Sequence, residues 1–320
     1  MTILDIVAND IIHVEAKMRE NIGEPIPALN EVIAYLISAG GKRLRPAITL
    51  LVTRFGNVDM KKAIALAASV EMLHTATLVH DDFVDNANAR RGHPTLNTKW
   101  APAATVLAGD YMFARSAALA AETDNVRIVK IFSTTLMTIV NGELQQFFSR
   151  ESNVMLNRDE YFNRIYAKTA SLFTTCAETG AILAGLLEHE MHAFRDYGYQ
   201  LGMAFQIMDD ILDFQGDEKR IGKPVAHDLR QGIITLPILD FLDVYPDHSI
   251  ISKVITGKTV TDNEIQETVK QLRTSNALQQ SLSTAKEFVG KAESALAMLP
   301  DNIYRKALSD IAHYAVARNI

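Results

Sequence analysis

Residues 61–85 read KKAIALAASVEMLHTATLVHDDFVD. Apolar residues recur at spacings of three and four throughout, and alanine, leucine and methionine dominate, which marks an α-helix. The apolar positions surround the helix rather than line one side, which places it in a central, buried layer. It ends on three aspartates within five positions, Asp81, Asp82 and Asp85. Like charges this close repel one another, so something must compensate them.

The same helical period runs through VRIVKIFSTTLMTIVNGELQQFF (126–148), DEYFNRIYAKTASLFTTCAETGAILAGLL (159–187) and FRDYGYQLGMAFQIMDDILDF (194–214). Sustained strand alternation is absent. Nine prolines and sixteen glycines punctuate the chain at short loops: GEPIP (23–27), AGGKRLRP (39–46), RGHPT (91–95), GDEKRIGKP (216–224) and VYPDH (244–248). No low-complexity linker separates two halves, so the reading is one all-α domain over 1–320. The 320 residues are 48% hydrophobic, enough for a large core. A net charge of −6 disfavours nucleic acid as a partner. The single cysteine, Cys176, rules out an internal disulfide and fits a reducing compartment. No signal peptide and no apolar run of spanning length are evident, so a cytoplasmic location is expected.

The spacing DDxxD recurs at Asp209, Asp210 and Asp213. With composition as the only constraint, about 0.1 occurrence of the pattern is expected by chance. Carboxylates four apart share a helix face, so Asp81 pairs with Asp85 and Asp209 with Asp213. Such stacked carboxylates need a cation. Mg²⁺ suits them, because it prefers oxygen and is shared between one or two carboxylates and substrate phosphates. The glycine and alternating ligands of a calcium loop are missing from both copies.

Basic residues answer the acids. Lys42, Arg43 and Arg45 lie in GGKRLRP just before a helix, a pattern suited to an anion. Arg90 and Arg91 follow the first cluster, and Lys223 follows the second. Lys168 lies in an apolar helical window, where an ammonium needs an anion or a route to water. Acids suited to Mg²⁺ and bases suited to phosphate together point to diphosphate substrates. Two diphosphates carry roughly −6, which about three Mg²⁺ would balance.

GGKRLRP, LVHDDFVDNANARRGHPT, AKTASLF, FQIMDDILDF and GKPVAHDLRQGIITLP, in this order, resemble the trans-isoprenyl diphosphate synthases, most closely the bacterial long-chain polyprenyl enzymes. The resemblance spans residues 40 to about 240. It implies an all-α bundle of antiparallel helices around a central cavity, a homodimer, and acidic clusters facing each other across that cavity. It implies that Asp81, Asp85 and Asp209 hold Mg²⁺, assisted by Asp82 and Asp213. Arg90, Lys168 and Lys223 would grip the allylic diphosphate, and Lys42, Arg45, His74 and Arg91 the isopentenyl diphosphate. Thr169 and Gln206 would stabilise the developing cation. Arg318 would fold over the cavity when substrate binds.

The growing chain needs a tunnel. In short-product relatives an aromatic residue one turn below the first cluster closes the pocket, whereas Ala76 and Thr77 are small here. One helical turn rises about 5.4 Å, close to one extended isoprene unit, so the window allows roughly six to eight units. Phe132 is the candidate floor. Two alternatives stand beside this reading. One is a catalytic subunit needing a small partner. The other is a terpene cyclase, which normally has Ser or Thr where this chain has Asp213. Release of a long apolar product implies at most transient membrane contact.

Overall fold

The structure is a computed structural model that describes residues 5–20, 26–90, 92–152, 157–215 and 225–318, with the side chains of 149–152 left aside. It is almost entirely helical. The helices are α1 (Ala8–Arg19), α2 (Pro27–Ser38), α3 (Leu44–Thr53), α4 (Met60–Val84), α5 (Pro102–Ala121) and α6 (Val126–Ser152). They continue as α7 (Arg158–Ile165), α8 (Ser171–Leu183), α9 (Glu188–Gln215), α10 (His227–Arg230) and α11 (Leu236–Leu242). The last are α12 (Ser249–Ile255), α13 (Asp262–Thr274), α14 (Ala277–Leu296) and α15 (Ile303–Ala317). Among the described residues the strands are confined to a short antiparallel hairpin, β1 (Ala89–Arg90) with β2 (His93–Pro94). Its tip carries Gly92 at φ +77°, a left-handed conformation that glycine adopts without strain.

The chain divides into two compact units, each assembled from separated stretches. The first comprises Met1–Thr135, Thr174–Arg195 and Ala297–Asp310. Its centre is α4, which packs on α5, α3 and α1. Asp59 caps the start of α4 by accepting from the Lys61 backbone N–H at 2.9 Å. Leu66, Val70, Met72, Leu73 and Ala76 are completely buried. Each such leucine contributes about 1.5–3 kcal/mol relative to exposure. α4 is also long and apolar enough to cross a membrane by length and composition, contrary to the sequence expectation. Most of that stretch is buried inside the protein, as in a core helix.

The second unit comprises Leu136–Phe173, Asp196–Leu296 and Ile311–Ile320. Its core joins Ile207, Ile211 and Phe214 of α9 to Leu229, Leu236, Phe241 and Leu272. The structure departs from the sequence reading at 159–187, which was expected as one helix. α7 is capped at its start by Asn157 and Glu160, and ends at Ile165. Residues Tyr166–Ala170 then form a π turn before α8 resumes. The Ser171 N–H accordingly bonds the carbonyl of Tyr166, five residues back. No glycine or proline marks this break, so nothing local announced it.

Candidate active site

Both acidic clusters sit at helix C-termini, Asp81, Asp82 and Asp85 at the end of α4 and Asp209, Asp210 and Asp213 at the end of α9. Neither helix carries a basic residue in its last turn. The helix dipole already places negative charge there, so the carboxylates depend on cations and donors from elsewhere.

In the first unit, Asp81 is half-buried and Asp85 exposed, while Asp82 is buried. The Asp85 N–H closes the last turn of α4 on the Asp81 carbonyl at 2.9 Å. Asp82 accepts from Arg90 Nε at 2.8 Å. Through this pair Asp82 braces the hairpin eight residues on. Asn97 donates to the Asp82 backbone carbonyl. Tyr35 of α2 donates to the Pro94 carbonyl at 2.7 Å, with Lys99 3.8 Å above its ring. Arg90 thus has a fixed base, and among the described residues its two terminal nitrogens make no hydrogen bond.

The GGKRLRP loop ends on Arg43, which takes a left-handed conformation at φ 50° as the cap of α3. Such a backbone is strained for a residue with a side chain. Three contacts hold it: Glu15 at 2.9 Å, Glu71 of α4 at 2.9 Å and the Ile37 carbonyl at 2.6 Å. Arg43 is therefore structural, and the exposed Lys42 and half-buried Arg45 flank it at the start of α3. His74 lies on α4 one turn beyond Glu71, half-buried. Ala76 is fully buried, Thr77 donates to the His74 carbonyl at 2.8 Å, and Phe132 is buried.

In the second unit, Asp209 pairs with Arg318 at 2.7 Å. Arg318 also donates to the Phe205 carbonyl at 2.9 Å and lies 3.8 Å above the Phe205 ring. The expectation that Arg318 closes over bound substrate is joined here by a direct contact to a carboxylate of the cluster. Asp213 accepts from the backbone N–H groups of His227 and Asp228 at 3.1 and 3.2 Å, at the start of α10. Asp210 is almost wholly buried, and burial pushes its carboxyl up to about 7, with the Asp228 charge adding to the rise. Tyr161 Oη donates to Asp210 Oδ2 at 2.7 Å, and Gln206 Nε2 donates to Asp210 Oδ1 at 2.8 Å. Gln206 Oε1 in turn accepts from Thr169 Oγ1 at 2.6 Å. Lys168 lies in the π turn, half-exposed, and meets Glu143 at 2.8 Å, which supplies its anion. Gly202, one turn before Gln206, lets α9 approach this segment: a Cβ there would come within 2.5 Å of the Ala170 Cα.

Arg91 and Lys223 lie outside the described residues. Among the described residues no three His, Cys, Asp or Glu side chains gather into a metal cage. The donors that are present, oxygen only and one or two outward carboxylates at each helix end, fit Mg²⁺ completed by water and substrate phosphate. Sequence reasoning missed Tyr161, Glu143, Glu71 and the role of Arg43. All act over distances in sequence that no local pattern connects.

The chain matches the polyprenyl synthetase family model over residues 26–272. It is 35% identical to "Heptaprenyl diphosphate synthase component 2" of Geobacillus stearothermophilus over 98% of this chain and 97% of that one. It is 33% identical to the octaprenyl diphosphate synthase of Escherichia coli (strain K12), covering 98% of each. A crystal structure of a polyprenyl synthase from Caulobacter crescentus CB15, complexed with calcium and isoprenyl diphosphate, superposes with a TM-score of 0.90 at 35% identity, covering 99% of this chain and 97% of that one. With the family model covering most of the chain and full-length relatives above 30% identity, the chain belongs to the polyprenyl synthetase family of trans-prenyltransferases.

Proposed function

We propose that this chain condenses an allylic diphosphate with isopentenyl diphosphate repeatedly, yielding an all-trans polyprenyl diphosphate of roughly six to eight isoprene units. The observation that carries this reading is the division of labour within each DDxxD cluster. The middle aspartate is buried and braced by protein donors, while Asp81, Asp85 and Asp209 keep exposed surface for a cation. These three, assisted by Asp82 and Asp213, would hold about three Mg²⁺. Bound Mg²⁺ would neutralise charge on the departing diphosphate.

Arg90, Lys168 and Lys223 grip the allylic diphosphate, and Lys42, Arg45, His74 and Arg91 the isopentenyl diphosphate. The allylic carbon–oxygen bond breaks and the diphosphate leaves with the electron pair. The double bond of isopentenyl diphosphate attacks the cation, and Thr169 and Gln206 stabilise it through oxygen lone pairs. The released diphosphate accepts the proton lost as the new double bond forms. Exclusion of water protects the cation from quenching.

The whole chain acts as one cytoplasmic synthase domain and a homodimer. Met137, Val140, Leu144, Phe147 and Phe148 of α6 support the dimer: they are exposed, apolar and spaced by three and four, as in a helix seam. Leu144→Asp is expected to yield monomers in sedimentation. Ala76 and Thr77 leave room for the product and Phe132 limits it. Ala76→Phe is expected to shorten the product to about three or four units, read by sizing the products; one turn of α4 matches about one unit.

Two relatives carry the name "component 2" of a heptaprenyl synthase, which favours a second reading, a catalytic subunit needing a small partner. Incubating the purified chain with farnesyl diphosphate, isopentenyl diphosphate and Mg²⁺ separates the cases. Elongated products establish a self-sufficient synthase, and cyclised hydrocarbon a cyclase. Activity restored only by an added partner establishes the subunit.

A further inference from the structure

Four side chains of the second unit form one continuous chain of hydrogen bonds: Tyr161 to Asp210, Gln206 to Asp210, and Thr169 to Gln206. Its direction is fixed at one end. Tyr161 has a single hydroxyl proton and is fully buried, with its ring 5.4 Å from that of Phe162. It donates that proton to one oxygen of Asp210. In the carboxylate form the other oxygen is an acceptor too, and it accepts a hydrogen bond from Gln206 Nε2 at 2.8 Å. An amide can present its two ends either way round, and the surrounding network decides which. Here Asp210 holds the nitrogen end, so the oxygen end faces Thr169. The single hydroxyl proton of Thr169 is thereby committed to Gln206. Its lone pairs point away from that bond and remain open to a developing positive charge.

The backbone supports the same geometry. The π turn at Tyr166–Ala170 places Thr169 against α9, and Gly202 permits the close approach. Gln206 and Asp210 lie four apart on α9 and share a face. Tyr161 is fully buried and sits 49 positions from its partner.

We propose that Tyr161 is a positioning residue: through Asp210 and Gln206 it sets the rotamer of the Thr169 hydroxyl, so that oxygen lone pairs rather than a proton face the allylic cation. The inference rests on the condensation proposed above, because it assigns Thr169 to the cation. A flipped Gln206 amide would present N–H to Thr169 instead. The Thr169 proton would then be free to point at the cation and oppose it.

The test is a mutant cycle on the full chain, read by single-turnover elongation of farnesyl diphosphate with Mg²⁺, by KM for both diphosphates and by thermal melting. Tyr161→Phe keeps the ring and removes only the hydroxyl. It is expected to lower the single-turnover rate about tenfold, with both KM values within about twofold and the melting temperature lowered by a few degrees for the one lost buried hydrogen bond. Thr169→Val removes the hydroxyl at constant shape. In that background Tyr161→Phe is expected to be silent, because the two act as one unit. Multiplying losses in the double variant, or a Tyr161→Phe variant at the parent rate, would overturn the proposal. So would raised KM values with the rate unchanged. If Tyr161→Phe does not fold, Asp210→Asn enters the same chain and must likewise be silent beside Thr169→Val. An active parent with a neutral Tyr161→Phe defeats this inference alone, whereas a parent that elongates nothing defeats the proposed condensation and this inference with it.

Discussion

The two acidic clusters have identical spacing and identical placement at the end of an apolar helix, yet their middle aspartates are held by opposite means. Asp82 meets a charged partner close in sequence, Arg90, on a hairpin that begins five residues after α4 ends. Asp210 meets neutral donors, Tyr161 and Gln206, in a site with almost no exposure. The first arrangement fixes a half-buried cation through its Nε. The second fixes a chain of neutral hydrogen bonds that ends on a threonine. A repeated motif is therefore not a repeated site. One brace holds a guanidinium, and the other holds an amide and a phenol.

This comparison can be broken most directly at the outer carboxylates. Asp81→Ala and Asp209→Ala are each expected to lower kcat by about 10²–10³ or more, since each removes charge stabilisation from the departing diphosphate. Radiolabelled isopentenyl diphosphate incorporation, with folding checked by circular dichroism, measures this. A variant of either kind that keeps the parent rate would show that only one cluster serves the reaction.

The middle aspartates sharpen it. Asp82→Asn loosens Arg90 and is expected to raise KM for the allylic diphosphate about five- to tenfold, a modest figure because the pair is partly solvated. Asp210→Asn is expected to lower kcat while leaving KM near the parent value. Steady-state kinetics with the allylic substrate varied distinguishes them. If both variants shift the same constant, the contrast between charged and neutral braces has no catalytic meaning.

The smallest effect concerns Arg318. Its guanidinium lies on Asp209, a carboxylate proposed for the metal, so the two cations compete. Arg318→Ala is expected to lower the Mg²⁺ concentration for half-maximal activity by up to about fivefold, the equivalent of about 1 kcal/mol for a partly exposed pair. A Mg²⁺ titration of activity checks it. An increased requirement would instead mean that Arg318 assists binding.

Much of this site was legible in the residues. The period of 61–85 placed α4 and its burial correctly, and the two DDxxD spacings located the helix ends that carry the acids. GGKRLRP located the start of α3, although the contribution of Arg43 there proved to be an ion-paired cap rather than a ligand. The pairing of Asp82 with Arg90 was not legible, because spacing alone cannot say which carboxylate is buried. The π turn at Lys168 and Thr169 escaped notice because a π hydrogen bond needs no special residue, only packing that rewards the extra backbone atom.

The sequence by itself determined the helices, their apolar sides, the acidic ends and the class of substrate those ends demand, because periodicity and charge are properties of neighbouring residues. Only the tertiary structure decided that Asp82 meets Arg90, that Asp209 meets Arg318, and that Tyr161 and Gln206 converge on Asp210. Those outcomes depend on burial and on donors brought together from distant positions. The cost of a buried, unpaired carboxylate selects such partners only once the chain has folded.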